Sequence, residues 1–252
     1  MNRTLYKTLS LIAALSFYGL LIFAIAMMYP GRSYFNMGAM FKGPFPKFIF
    51  SGFLLTIWIS ILTLIGSLTL GFLLYIMSKS KNYTARYIAI IFNETVFGSP
   101  LIVFIVVIYY MVWKYLPFES RLYGGVVALI LYMGPYMKNL FEGAIKTIDD
   151  LQFQAMTVFG FTTFQKYRYI ILPQLLRVII PPLIGNLTII IKGSSLLNFI
   201  GVPELYNQIT YIQYENFLAV EGYLLMFIMY LLITIPLIRV TKFFEKQVAS
   251  WN

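Results

Sequence analysis

The polar groups scattered through a very apolar sequence narrow its chemistry before any element is assigned. Cysteine and histidine are both absent. That excludes thiolate nucleophiles, disulfides, the common zinc and haem ligands, and the side chain that most readily shuttles protons near neutral pH. The adjacent carboxylates Asp149 and Asp150 stand just before a helical pattern that begins at Leu151. There an acidic side chain accepts hydrogen bonds from the free N–H groups of a first turn, and acts as a cap rather than as half of an acid–base pair. Nucleophile, base and orienting group occur together in no stretch of the chain. What remains is binding chemistry. Lys192, Ser194 and Ser195 interrupt an apolar run as "KGSS", and Glu94 with Asn93 precedes Gly98-Ser99-Pro100. Asn139 and Asn186 are polar residues at span level. Groups of this kind inside lipid can line the path of a polar solute. Each also has a plainer reading: Lys192 can snorkel to the headgroups, the serines can satisfy freed backbone groups, Glu94 can sit near the cytoplasmic interface above Arg86, and the asparagines can bond one helix to another.

A second polar stretch, Leu151 to Gln174, separates two apolar ones. Leu151, Ala155 and Phe159 recur at helical spacing with Met156 beside them, an apolar face that one short helix cannot bury alone. Gly160 is placed to end this helix in the left-handed conformation. Thr162 and Gln165 then form a T-x-x-Q capping box, so a second short helix is expected at once. Such a pair would lie along the membrane and present Phe159, Phe161 and Phe164 either to a cytoplasmic partner or to lipid headgroups.

The elements that must position these groups are membrane spans. Hydrophobic residues make up 60% of the chain and charged ones 11%, too apolar a balance for an ordinary soluble domain. Leu9–Tyr29 is uncharged and long enough for the ~30 Å hydrocarbon core. Arg3 and Lys7 ahead of it and Ala24-Ile25-Ala26 late in it are features of a secretory signal, but the run is long for a signal core, and a retained span is expected. Phe48–Met77 follows, with Gly52, Gly66 and Gly71 allowing close helix approach. Tyr87–Trp113 should break at Gly-Ser-Pro. Tyr123–Ile145, Val178–Ile191 with a discontinuity at "KGSS", and Gly222–Ile238 bring the expected number of spans to about six.

The net charge of +10 forms no basic block of the kind that binds nucleic acid, and none is expected as a partner. With both termini cytoplasmic, Arg3, Lys7, Lys79, Lys81, Arg86, Lys146, Lys166, Arg168, Arg177, Arg239, Lys242 and Lys246 fall inside. Arg32, Lys42, Lys47, Lys114, Arg121 and Lys192 fall outside. That ratio of roughly two to one puts the Leu151–Gln174 segment in the cytoplasm. No phosphate loop of the G-x-x-x-x-G-K-[ST] type is present, so nucleotide chemistry must lie in another chain.

Gln154-Ala155-Met156, Gly160, Ile170, Leu172 and Pro173 keep the spacing of the E-A-A-x3-G-x9-I-x-L-P signature. On this pattern the chain resembles the membrane subunits of bacterial ATP-binding-cassette importers. "GSPLIV", "LPQLLRVIIPPLIGNL" and "GVPEL" resemble motifs of the polar amino acid uptake branch, and the likeness covers about residues 50 to 240. It implies an all-α polytopic bundle, a five-helix importer core with an added N-terminal helix, in the bacterial inner membrane. Residues 1–47 would form the N-terminal helix and outer loop, and 48–246 the core with coupling loop 149–173.

By the same resemblance Gln154, Ala155, Met156, Gly160 and Phe161 couple the chain to an ATPase, while Lys192, Ser194, Ser195, Glu94 and Asn139 line the pathway. The implied partners are two ATPase subunits that bind ATP and Mg, a second permease subunit, identical or paralogous, an extracytoplasmic solute-binding protein, and membrane lipid. No cofactor is expected in this chain. Gln154 and Met156 replace the usual glutamate and alanine, Phe97 an arginine, and Asn139 a glutamate, and "KGSSL" lacks the aspartate of K-D-T-S-L. Loss of charge along a pathway changes which solute it stabilises, so import is better founded than cargo. The competing class is an ATP-independent transporter or channel. Scarce intramembrane carboxylates, the lack of histidine and the capped cytoplasmic segment argue against it.

Overall fold

A computed structural model describes residues 36–117 and 120–249, with positions 16 and 20. The expected span Leu9–Tyr29 lies outside the described residues. The chain divides into units at 1–39 and 40–252, and the helices below belong to the second.

Helix α1, Phe45–Ser78, is apolar on every side, so hydrophobicity cannot decide which face turns inward. Small residues decide it. Gly52, Thr56, Ser60, Thr63, Ser67 and Gly71 are all buried and recur every three to four positions, while Phe50, Leu54, Trp58, Ile65 and Phe72 face outward. Lipid is as apolar as leucine, so close backbone approach rather than water exclusion drives this packing. At Gly71 a Cβ would stand 2.5 Å from the Met137 Cβ and 2.8 Å from the Gly134 carbonyl oxygen. The helix met there is α4, Arg121–Ile145, which makes its most extensive contact with α1.

Between them, α2 (Tyr83–Gly98) and α3 (Leu101–Val107) form the broken pair expected at Gly-Ser-Pro, bent by 117°. The break leaves the Ser99 carbonyl free of the helix ladder, and the Tyr132 hydroxyl of α4 donates to it at 3.3 Å. Beyond α3 the chain passes through a π turn, Ile108–Val112, and a 3-10 turn, Trp113–Tyr115.

A short helix, α5 (Asp150–Val158), precedes the longest one, α6, whose helical path runs from Thr163 to Ile200. Helices α7 (Leu205–Asn216) and α8 (Ala219–Ala249) complete the described chain. Two expectations are corrected here. The helix after the capping box is not short and separate: Thr163–Gln165 continues through a π turn at Lys166–Ile171 into the span. Lys166, Arg168 and the tyrosines near its start lower the local hydropathy and hide that continuity. "KGSS" likewise does not break the helix. Lys192, Gly193 and Ser194 are α-helical, and winding tightens to 3-10 only at Ser195, before Gly201 ends it at φ +75°.

Helices α1, α6 and α8 are each long and apolar enough to cross a membrane, and the bent pair α2–α3 counts as a fourth candidate. Among the described residues, buried clusters follow one another along the bundle. One centres on Ile59, Ile105, Leu129 and Leu197, the next on Met133, Met137 and Ile190, and the last on Ile148, Met156 and Ile171.

Candidate coupling surface and translocation pathway

Helix α5 is closed at both ends by its own sequence. Asp149 caps the first turn, its Oδ1 accepting from the Leu151 N–H at 2.9 Å. At the other end Gly160 takes φ +72°. The Phe161 N–H then reaches the Met156 carbonyl at 3.0 Å and the Gly160 N–H the Thr157 carbonyl at 3.1 Å, the paired bonds of a Schellman motif. The next helix opens at once with both arms of the capping box, Gln165 N–H to Thr162 Oγ1 at 3.3 Å and Thr162 N–H to Gln165 Oε1 at 2.9 Å. Two further bonds fasten α5 to α6: Lys166 Nζ to Thr157 Oγ1 at 2.7 Å, and Gln174 Nε2 to Gln152 Oε1 at 3.3 Å.

Met156 is 4% exposed and packs with Ile148, Ile171, Phe153 and Leu175. It therefore points into the chain's own base and not outward beside Leu151, Ala155 and Phe159, because the helix turns through about 100° between Ala155 and Met156. The outer face is formed by Leu151, Gln154, Ala155, Val158 and Phe159, all exposed, Phe159 by 79%. Phe161 stands at the edge of that face, 36% exposed. What results is a compact knob, anchored on one side by Met156 and presenting apolar surface on the other.

The residues expected to line a pathway are less concentrated. Glu94, Asn139 and Lys192 are exposed on the surface of the described bundle, and among the described residues none has a side-chain hydrogen bond or ion pair. Ser194 is fully buried and its hydroxyl donates to the Ile191 carbonyl at 2.8 Å; Ser195 donates to the Lys192 carbonyl at 2.7 Å. Both serines thus satisfy local backbone, the plainer of their two readings. Asn186 bonds Met137 Sδ across helices at 3.9 Å, as interhelical glue does. Phe97 meets Tyr136 in a tilted contact with ring centroids 4.7 Å apart, and Tyr136, Tyr132 and Phe104 continue an aromatic ladder beside the α2–α3 break.

The sequence profile described as "Binding-protein-dependent transport system inner membrane component" matches residues 67–250. The chain belongs to that family. It is a multi-pass permease subunit of the inner membrane, and the family is one of transport components rather than enzymes. It is 32% identical over 205 residues to the glutamine transport system permease protein GlnP of Escherichia coli strain K12, covering 79% of this chain and 92% of that one. To the probable amino-acid permease protein YxeN of Bacillus subtilis it is 28% identical, covering 78% and 89%. Among solved structures its fold is similar to that of an amino acid ABC transporter crystallised with histidines, with TM-score 0.74, 24% identity, and 81% and 95% coverage. It also resembles the inward-facing MetNI methionine ABC transporter, with TM-score 0.58, 17% identity, and 82% and 95% coverage.

One polar cluster of the permease was not legible in advance. Glu204, read only as part of "GVPEL", is fully buried and caps α7, accepting from the N–H groups of Tyr206 at 3.0 Å and Asn207 at 2.9 Å. The hydroxyls of Tyr230 at 3.1 Å and Thr56 at 3.3 Å also donate to it, so one carboxylate joins α1, α7 and α8. Ser194 and Ser195 border the Tyr230 hydroxyl, which links the cluster to α6. The available signal was a charged residue beside a proline in an apolar region, and it did not name partners from helices far away in sequence.

Proposed function

We propose that this permease forms half of the translocation path of an ATP-driven importer for a polar amino acid or related small solute. The observation that carries this reading is the anchored knob of α5 with its uncovered apolar face of Leu151, Val158 and Phe159. A short element capped at both ends moves as one body, so force applied to its outer face passes through Met156 and the Lys166 and Gln174 bonds into the foot of α6. ATP and Mg are bound by two partner ATPase subunits, which grip α5 from the cytoplasm, where both chain termini also lie. Gln154, Ala155 and Phe161 are the contact residues, and Met156 and Gly160 hold them in place.

The exposed Glu94, Asn139 and Lys192 support a second permease subunit. A lysine facing hydrocarbon costs about 2.5 to 3.5 kcal/mol, so such a residue turns toward protein or a water-filled path. A twin subunit facing these residues encloses a pathway between the two, flanked by the aromatic ladder of Phe97, Tyr132 and Tyr136. Cargo arrives from an extracytoplasmic binding protein. The amino acid class rests on the functions named for the relatives and on the "GSPLIV" and "GVPEL" likenesses.

The test is a solute screen on the purified complex, reading ATP hydrolysis in lipid vesicles with the binding protein present. Stimulation by one polar amino acid agrees with the reading; uptake by the permease alone, without any ATPase, contradicts it.

A further inference from the structure

An apolar groove of about 380 Å³ opens where the foot of α6 leans against α1 and α4. Phe72 and Tyr75 of α1, Phe141 and Ile145 of α4, and Leu172 and Leu175 of α6 form its walls. Arg168 stands at its lip, exposed and, among the described residues, without a carboxylate partner. The polar groups on the lining residues are the Arg168 guanidinium and the hydroxyls of Tyr75 and Tyr167, and no acidic residue is among them.

The surroundings are also basic. Lys79, just past the end of α1, Lys138 on α4 and Lys146, just past the end of α4, all share the single carboxylate of Glu142, at 3.0, 2.7 and 3.6 Å. Three cations on one anion leave a surplus of positive charge beside the groove, to which Arg168 adds. An apolar slot between spans with cations at one end matches an amphiphile with hydrocarbon tails and a negative head. A polar solute would gain nothing from such walls. We infer that this groove binds one anionic phospholipid of the cytoplasmic leaflet, its acyl chain between Phe72, Phe141 and Leu172 and its phosphate on Arg168.

The groove wall includes Tyr167 and Arg168, which lie in the π turn joining the α5 knob to α6. Bound lipid would therefore brace the joint through which α5 moves α6. This inference concerns lipid contact with the permease itself and does not depend on the cargo or on the ATPase.

Native mass spectrometry of the full chain, released from micelles carrying equal amounts of phosphatidylglycerol and phosphatidylcholine with identical tails, tests it. One phosphatidylglycerol should be retained in preference, and Arg168→Gln should weaken that preference about five-fold, as expected for one surface cation. Leu172→Trp, which fills the slot, should abolish retention of both lipids at this site. Hydrogen exchange at 166–171 should slow in phosphatidylglycerol nanodiscs relative to phosphatidylcholine ones, and the difference should vanish in Arg168→Gln. Equal retention of the two lipids, or an unchanged preference in Arg168→Gln, overturns the proposal. So does a disulfide between two copies carrying Phe164→Cys, since a second subunit would then occupy the groove.

Discussion

Gly160 is the residue on which the end of α5 most depends. At φ +72° a side chain clashes with the backbone even though the space around the position is open. Gly160→Val should destabilise the turn by about 2 kcal/mol or more, since β-branching adds to the ~1–2 kcal/mol left-handed penalty. The expected outcome in vesicles is continued ATP hydrolysis with little uptake, while Gly160→Asn, better tolerated in this conformation, should retain intermediate uptake. At Glu204 the stakes are stability. Glu204→Ala deprives two N–H groups and two hydroxyls in the interior of this acceptor, at a cost of about 1–3 kcal/mol for each group left unsatisfied. Thermal denaturation in detergent should show a large fall for Glu204→Ala and a smaller one for Thr56→Val. Met156 shows why residue-level inference from pattern has a limit. Spacing put it beside the apolar face, but whether a residue at the edge of a face turns in or out depends on what the next helix offers, here Ile171 and Leu175.

For whole elements, legibility followed locality. The Asp149 cap, the Gly160 turn and the Thr162–Gln165 box each involve residues within a few positions of one another, and all three stand in the structure as read. The break at Gly98-Ser99-Pro100 was legible for the same reason. The length of α6 was not, because its foot is polar and continues the helix through a π turn that no single residue announces. Helix α1 lies between these cases: its glycines marked a close approach, but only the structure identifies α4 as the partner at Gly71. Gly71→Leu should force α1 off α4, since the clash is with backbone and cannot be relieved by a rotamer change. Reduced yield of folded permease and earlier aggregation on heating are the expected readouts. Asp149→Ala should be milder, costing about 1 kcal/mol at the start of α5, visible as faster local hydrogen exchange at Leu151 with the bundle unaffected.

At the scale of the molecule, one copy is incomplete in two places. Its α5 knob carries apolar surface that no described residue covers, and its bundle exposes Glu94, Asn139 and Lys192. Under the proposed function a motor would meet the first need and a twin subunit the second, making the chain one lever and one half-channel of a larger machine. Fold class and the knob were readable from the sequence, whereas the Glu204 junction, whose bond to Thr56 spans 148 positions, required the folded chain. The absence of cysteine makes the decisive measurement clean, because any introduced thiol is unique. Phe159→Cys, labelled with a short photo-crosslinker in membranes that contain the whole transport system, should attach to a nucleotide-hydrolysing subunit, and the yield should change when ATP is trapped in its closed state. Attachment only to lipid, or labelling of the introduced thiol by an impermeant reagent added outside intact cells, would contradict the claim that α5 is the handle by which ATP drives this permease.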